Sequence, residues 1–372
     1  MNEISAFVIT IFDHLNLGNR LQNYAVQEVL NKLNCNAVTV VYQKPPFSIK
    51  EKTKYFLQRI SGFRLPGDKV YWKLFPKRLE GFLNFNKAQL NLVYIHSVKQ
   101  IKDYSYYIVG SDQVWNPKWY SRNHVKKDLF LLTFADDNQK VCFSPSFGVT
   151  QLPEEWKPWF KKYLSKIPKI SVREEAGAKI VKELTGKEAT VLIDPTLMLD
   201  VSDWLKISKD PKRVDLSKPY ILTYFLGGRS NRVDQDLERL SKDYKLDIYN
   251  LLDQNQPDLY VTGPSEFISL VANARLILTD SFHACVFSFL FNKPFLVYDR
   301  EGTENDMMSR IDTFLSKFSI RRKYVDSGMP NDVMEHDYSQ GYQQLAIERQ
   351  KVLDFLRDSM NLSEDKGQND EN

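Results

Sequence analysis

Short apolar runs of strand length alternate with segments of helical period along most of this chain, and that alternation narrows the possible folds more than any other feature. Ser5 to Ile11 reads as a buried strand, and Arg20 to Leu33 as a helix with Leu21, Tyr24, Ala25, Val29 and Leu33 on one face. Further strands are expected at Ala37 to Tyr42, Tyr106 to Val109, Val141 to Phe143, Ile170 to Val172 and Thr190 to Ile193. Helical patterns at Glu154 to Ile167 and Glu174 to Thr185 fill gaps between them. The alternation restarts after Asp194-Pro195, with strands at Tyr220 to Leu226, Asp247 to Leu252, Leu276 to Thr279 and Phe295 to Tyr298. Helices are expected there at about Val233 to Asp243, Ser265 to Ala274 and Ser281 to Phe291. Such a pattern argues for parallel sheets covered on both faces. It predicts two doubly wound α/β domains, at 1–200 and 201–360, followed by a polar, acidic tail at 361–372 that is expected to be disordered.

A chain of 372 residues is long enough for two domains, and 42% hydrophobic with 26% charged residues is ordinary globular usage. The three cysteines, Cys35, Cys142 and Cys285, are far apart in apolar runs and show no metal-type spacing, which fits free thiols in a reducing compartment. No signal-peptide pattern and no long apolar run is visible, so a cytoplasmic protein is expected. A formal net charge of +4 is no nucleic-acid signature. The basic residues concentrate in one insertion, Lys44 to Arg78, interleaved with aromatics such as Tyr55, Phe56 and Trp72. This insertion reads either as a solvated loop and helix or as a peripheral contact with anionic lipid headgroups at the inner face of a membrane.

Four polar clusters follow strand ends. After the first strand, His14 to Tyr24 contains Gly18 for a tight turn, Asn19 as a helix cap, and further donors on Arg20, Gln22 and Asn23. The second cluster, Gly110-Ser111-Asp112-Gln113-Val114-Trp115-Asn116, combines hydroxyl-binding side chains with an aromatic that could serve as a sugar platform or simply be buried. The third places Arg173 between a strand and a helix start, either to fork onto an anion or to pair with a neighbouring glutamate. Asp194-Pro195-Thr196 occupies a similar strand end. The fourth, Thr279-Asp280-Ser281-Phe282-His283, puts His283 in the first turn of an apolar helix, where it is either structural or an anion ligand and proton donor.

Together these segments resemble the polysaccharide pyruvyl transferase family. The resemblance rests on the glycine–asparagine loop with Leu21-Gln22-Asn23-Tyr24-Ala25, Gly110-Ser111-Asp112-Gln113-Val114-Trp115-Asn116, Ser171-Val172-Arg173-Glu174, Asp194-Pro195-Thr196-Leu197, and Thr279 to His283. These five segments lie in the family's order over roughly residues 5 to 300. The resemblance implies a GT-B-like pair of Rossmann-like domains facing a cleft, and a transferase that uses phosphoenolpyruvate as donor. It implies donor binding by Arg173 and the Ser281 to His283 turn. Many relatives carry Arg-Leu in place of Ser281-Phe282, so the missing charge would come here from Arg275, Arg229, Arg300 or Lys293.

The expected chemistry adds a sugar hydroxyl to the central carbon of phosphoenolpyruvate and needs no cofactor or metal. The candidate catalytic residues are His283, Arg173 and Asp112. Asn19, Gln22, Ser111, Gln113, Trp115, Asp194, Asp280, Ser281 and Phe282 are candidates for binding substrate. The acceptor would be a sugar, free or polymeric, or a lipid-linked oligosaccharide. Competing expectations are a nucleotide-sugar glycosyltransferase of the same architecture and a non-catalytic binding relative.

Overall fold

The computed structural model describes residues 4–12, 15–42, 69–120, 125–300, 309–320, 329 and 332–362. Strands β1 (Ile4–Ile9), β2 (Cys35–Tyr42), β3 (Leu92–Ile95), β4 (Tyr106–Gly110) and β5 (Lys140–Phe143) form a parallel sheet in the order β3-β2-β1-β4-β5. Strands β6 (Ile170–Val172) and β7 (Ala189–Val191) pair with each other in parallel beside it. Ser171 bridges the two sheets: its hydroxyl donates to the Cys142 carbonyl at 2.9 Å and accepts from the Ser144 amide at 3.1 Å. A second parallel sheet contains β8 (Tyr220–Tyr224), β9 (Asp247–Asn250), β10 (Leu276–Thr279) and β11 (Phe295–Val297), ordered β11-β10-β8-β9. Strands β5, β8 and β10 are buried along their whole length, as a sheet covered by helices on both faces requires. The architecture is thus two Rossmann-like α/β units of the GT-B-like kind expected.

Each unit has a point where the chain reverses its direction of travel across the sheet, and ligand crevices form at such points. In the first it lies between β1 and β4, whose register pairs Ile9 with Val109. In the second it lies between β8 and β10, with Thr279 beside Tyr224. The helices Leu17–Lys32 and Phe282–Leu290 open next to these two points.

One core cluster runs through both units, so the interface between them is apolar and continuous. Trp204 sits at the seam, 5.7 Å from the Tyr24 ring and 4.8 Å from that of Phe287. Helix Lys69–Gln89 adds a polar strut. Arg78, which the sequence grouped with a basic surface insertion, is 4% exposed and donates to the carbonyls of Tyr260 and Leu15. Of that insertion, residues 44–68 lie outside the described residues. The 21-residue helix Ser339–Ser359 contacts both units. Its Tyr342 donates to the Phe289 carbonyl at 2.8 Å. Its Arg349 donates to the carbonyls of Leu197 at 2.7 Å and Leu199 at 2.8 Å and pairs with Asp200 at 2.5 Å.

Sequence periodicity located most of these elements to within a few residues. It missed helix Lys69–Gln89, which carries Pro76, the edge strand β3, only one of whose residues is buried, the short helices Val125–Phe130 and Val201–Lys206, and the two helices after the last strand, Ser309–Lys317 and Ser339–Ser359. All three cysteines are free and buried. Among the described residues no helix is long and apolar enough to cross a membrane. Removing the Arg349 side chain in Arg349→Ala should cost about 1.5–3 kcal/mol, the value of charged hydrogen bonds to buried carbonyls. The check is a lowered urea midpoint at unchanged slope.

Candidate functional site

The two chain reversals face each other and touch. Gly18, near the start of helix Leu17–Lys32, lies against His283 so closely that a Cβ there would stand 2.2 Å from the imidazole Nδ1. Only glycine permits this approach. Asn16, not Asn19, caps this helix, accepting from the Asn19 amide at 3.0 Å. Asn19 is thereby left to donate from Nδ2 to Asp112 Oδ2 at 2.9 Å.

Asp112 follows β4 in the left-handed backbone region, with φ of 63°, a conformation aspartate tolerates better than most residues. This directs its carboxylate toward three donors: Asn19, Arg173 Nη2 at 3.6 Å and Arg310 Nη1 at 3.8 Å. Burial opposes its ionisation most strongly, but the charges of Arg173, His283 and Arg310 and the Asn19 hydrogen bond together hold its pKa below the usual value.

Arg173 enters at the end of β6 and pairs with Asp194 through Nη1 and Oδ2 at 2.5 Å; the two side chains are 3% and 0% exposed. Asp194 also accepts from Ser111 Oγ at 3.0 Å, the Thr196 amide at 3.0 Å and Thr196 Oγ1 at 2.7 Å. Burial raises its pKa, yet Arg173, His283 and the Thr196 bonds outweigh this and bring it to about 2. The Asp194 carboxylate is thus filled by protein donors and holds the Arg173 guanidinium in place.

His283 Nε2 stands 3.9 Å from Asp194 Oδ2 and has no hydrogen-bond partner. Burial is the main reason its pKa falls below 6.5, with Arg173 and Arg310 adding to the effect against Asp194 and Asp112. The imidazole is therefore neutral at neutral pH. Arg173 Nε and Nη2 and Arg310 Nε are likewise buried without hydrogen-bond partners. Unpaired donors from both halves of the molecule thus meet over two carboxylates, an arrangement suited to an anion.

The remaining expected residues fall into two groups. Ser111 belongs to the cluster through Asp194, and Phe282 lies 4.9 Å from the Arg173 guanidinium carbon, measured to the ring centroid. Gln22 is buried behind them, accepting from Thr10 and Asn23. Gln113 packs under Gly148 and accepts from Asn116 at 3.1 Å. Ser281 heads helix Phe282–Leu290 without a side-chain capping bond. Trp115 is no platform: it is 0% exposed in the core, its indole donating to the Phe130 carbonyl at 3.0 Å. Asp280 is consumed in holding the second chain reversal, accepting from the amides of Leu226 at 2.7 Å and Gly227 at 2.9 Å and from Arg300 at 3.1 Å.

Arg300 is therefore committed to Asp280, Arg229 pairs with Asn250 and Asp234, and Arg275 is exposed. The additional cation near His283 is instead Arg310, which sequence reasoning did not single out. It comes from a helix after the last strand, and nothing in its local pattern marks it. His14 lies outside the described residues. Among the described residues no group of His, Cys, Asp and Glu is arranged to hold a metal.

The family model described as polysaccharide pyruvyl transferase matches residues 16–302. The chain belongs to that family. The match takes in Gly18, Asn19, Asp112, Arg173, Asp194 and His283 and ends before Arg310. No curated protein matches the sequence. Among solved structures, the UDP-GlcNAc 2-epimerase of Neisseria meningitidis bound to UDP-GlcNAc is similar at 11% identity and TM-score 0.43, covering 96% of this chain and 93% of its own. The UDP-N-acetylglucosamine 2-epimerase of Rickettsia bellii is similar at 12% identity and TM-score 0.44, covering 97% and 98%.

Two outcomes follow for the site. Gly18→Ala should drive His283 off its position and lower turnover by about a hundredfold or more, as a misplacement of about 1 Å can; steady-state kinetics on folded protein would check it. Protonation supplies the other. Between pH 6.5 and the lower folded pKa of His283, the unfolded chain binds a proton that the folded one refuses. Stability therefore falls as pH drops through that window, and His283→Gln should flatten the fall in urea titrations at stepped pH.

Proposed function

We propose that this family member transfers the pyruvyl group of phosphoenolpyruvate to a pair of sugar hydroxyls, forming a cyclic ketal and releasing phosphate. The observation that carries this reading is the convergence of Arg173, His283 and Arg310, all buried and all with unpaired donor atoms, at the seam of two α/β units. A small ligand with both a carboxylate and a phosphate matches such a set, because each anionic group can take hydrogen bonds that the protein leaves unmade.

In the proposed reaction the first hydroxyl oxygen bonds to the central carbon of the donor while the methylene carbon takes a proton and becomes a methyl group. The second hydroxyl then bonds to the same carbon as the carbon–oxygen bond to phosphate breaks. Of the two hydroxyl protons released, one is matched by the proton gained at the methyl carbon and the other leaves on phosphate. His283 is the proposed acid. Otherwise neutral, it takes up a proton when a dianion arrives beside it, since added negative charge favours the imidazolium. Asp112 stays ionised and faces the cleft with its side chain 15% exposed, which suits accepting a hydrogen bond from the acceptor hydroxyl. Asn19 orients it. Asp194 keeps Arg173 extended toward the ligand. The proposed acceptor is a sugar of a surface or exopolysaccharide precursor, and contact with a lipid-linked form through 44–78 belongs to the same proposal.

Purified protein should release phosphate from phosphoenolpyruvate only when a suitable galactose-, mannose- or glucosamine-containing acceptor is present. His283→Ala and Arg173→Ala should each lower kcat/KM by about a hundredfold or more, the size expected on losing a proton donor or a charge clamp. No release with any acceptor, together with tight binding of a nucleotide sugar, would replace this reading with a glycosyltransferase.

A further inference from the structure

Both cleft arginines pack on one ring. The guanidinium carbon of Arg173 lies 4.9 Å and that of Arg310 5.9 Å from the centroid of Phe282, which is 6% exposed. An aromatic face attracts cations, so the ring steadies two like charges that would otherwise repel. Their neutralisation is unequal. Arg173 has Asp194 at 2.5 Å and a share of Asp112 at 3.6 Å. For Arg310 the nearest carboxylate among the described residues is that same Asp112, at 3.8 Å. Glu174 also acts on Arg310 from beyond ion-pair distance, with its Oε1 taken by Ser146 Oγ and the amides of Phe147 and Gly148.

Positive charge without a full counter-charge therefore collects around Arg310. It is 8% exposed, its Nε has no hydrogen-bond partner, and His283 Nε2 nearby has none either. Both donors stand at the N-terminal end of the nine-residue helix Phe282–Leu290, whose first amides and dipole favour the same sign of ligand.

We propose that Arg310 is a donor-binding residue that takes the phosphate, together with His283, while Arg173 takes the carboxylate. This assignment rests on the phosphoenolpyruvate reading above. The more highly charged group of the ligand goes to the cation whose charge is least offset, and the single negative charge goes to the arginine already half neutralised by Asp194. Phe282 is the positioning residue that sets the separation of the two arginines.

Inorganic phosphate and pyruvate probe the two halves of the ligand separately, by calorimetry on the full chain or by competition with phosphoenolpyruvate. Arg310→Ala should weaken phosphate binding about 10- to 100-fold, as expected for the loss of a charged hydrogen bond, and change pyruvate binding less than about threefold. Arg173→Ala should show the opposite pattern. Unchanged phosphate affinity in Arg310→Ala, or equal loss of both probes, overturns the assignment. Should the alanine variant fail to fold, Arg310→Lys keeps the charge but loses the guanidinium fork. It should still lose phosphate affinity selectively, and a selective loss of pyruvate would sink the proposal. Wild-type protein that binds neither probe nor phosphoenolpyruvate removes the donor reading itself, a result obtained before any variant is made.

Discussion

The cleft is organised around one buried ion pair, Arg173 with Asp194. Taking both charges out of water costs several kcal/mol each, and the pair recovers this only if the remaining bonding capacity is used. On the carboxylate side it is used fully: Ser111 from the end of β4 and Thr196 from the turn after β7 both donate to Asp194. On the arginine side it is not, since Nε and Nη2 have no hydrogen-bond partner. The asymmetry is informative. A pair selected for stability alone would satisfy both partners, or be replaced by apolar side chains at no loss. Here three strand ends are pinned by a carboxylate so that an arginine keeps free donors pointed at the seam.

Much of this arrangement was legible in the sequence because buried parallel strands leave a plain signature. Leu276 to Leu278 is an unbroken apolar run and Ile170-Ser171-Val172 departs from one by a single serine, and the structure places strands over both. Candidate positions just after such runs were readable for the same reason: Asp112, Arg173 and His283 each follow a strand, and the structure brings the three together. What could not be read is which of several polar residues at a strand end turns inward to the ligand. Asp112 and Asp280 look alike in sequence, yet a left-handed backbone aims the first at two arginines while two amides and Arg300 consume the second. Trp115 misled because an aromatic beside polar residues has the composition of a sugar platform, whereas its indole finds the Phe130 carbonyl inside the core. Arg310 carried no signal at all. Its place beside Phe282 depends on helix Ser309–Lys317 packing back beside helix Phe282–Leu290, a tertiary fact that local pattern does not encode.

The division of the site between the two units has a mechanical consequence. Arg173, Asp112 and Asp194 come from the first, His283, Phe282 and Arg310 from the second, so neither unit alone holds the cluster. Relative motion of two domains is the usual expectation where their interface is small and polar. Here a single apolar core crosses the seam, Trp204 and Arg78 bridge it, and helix Ser339–Ser359 ties the far ends together. The contact of Gly18 with His283 leaves no room for even a methyl group between the halves. Electrostatic stabilisation is most effective when donors are already in place before charge develops, because no reorganisation is then needed during reaction. A seam this tightly packed provides that condition directly, so the same contacts that stabilise the fold also hold the cations at fixed separation.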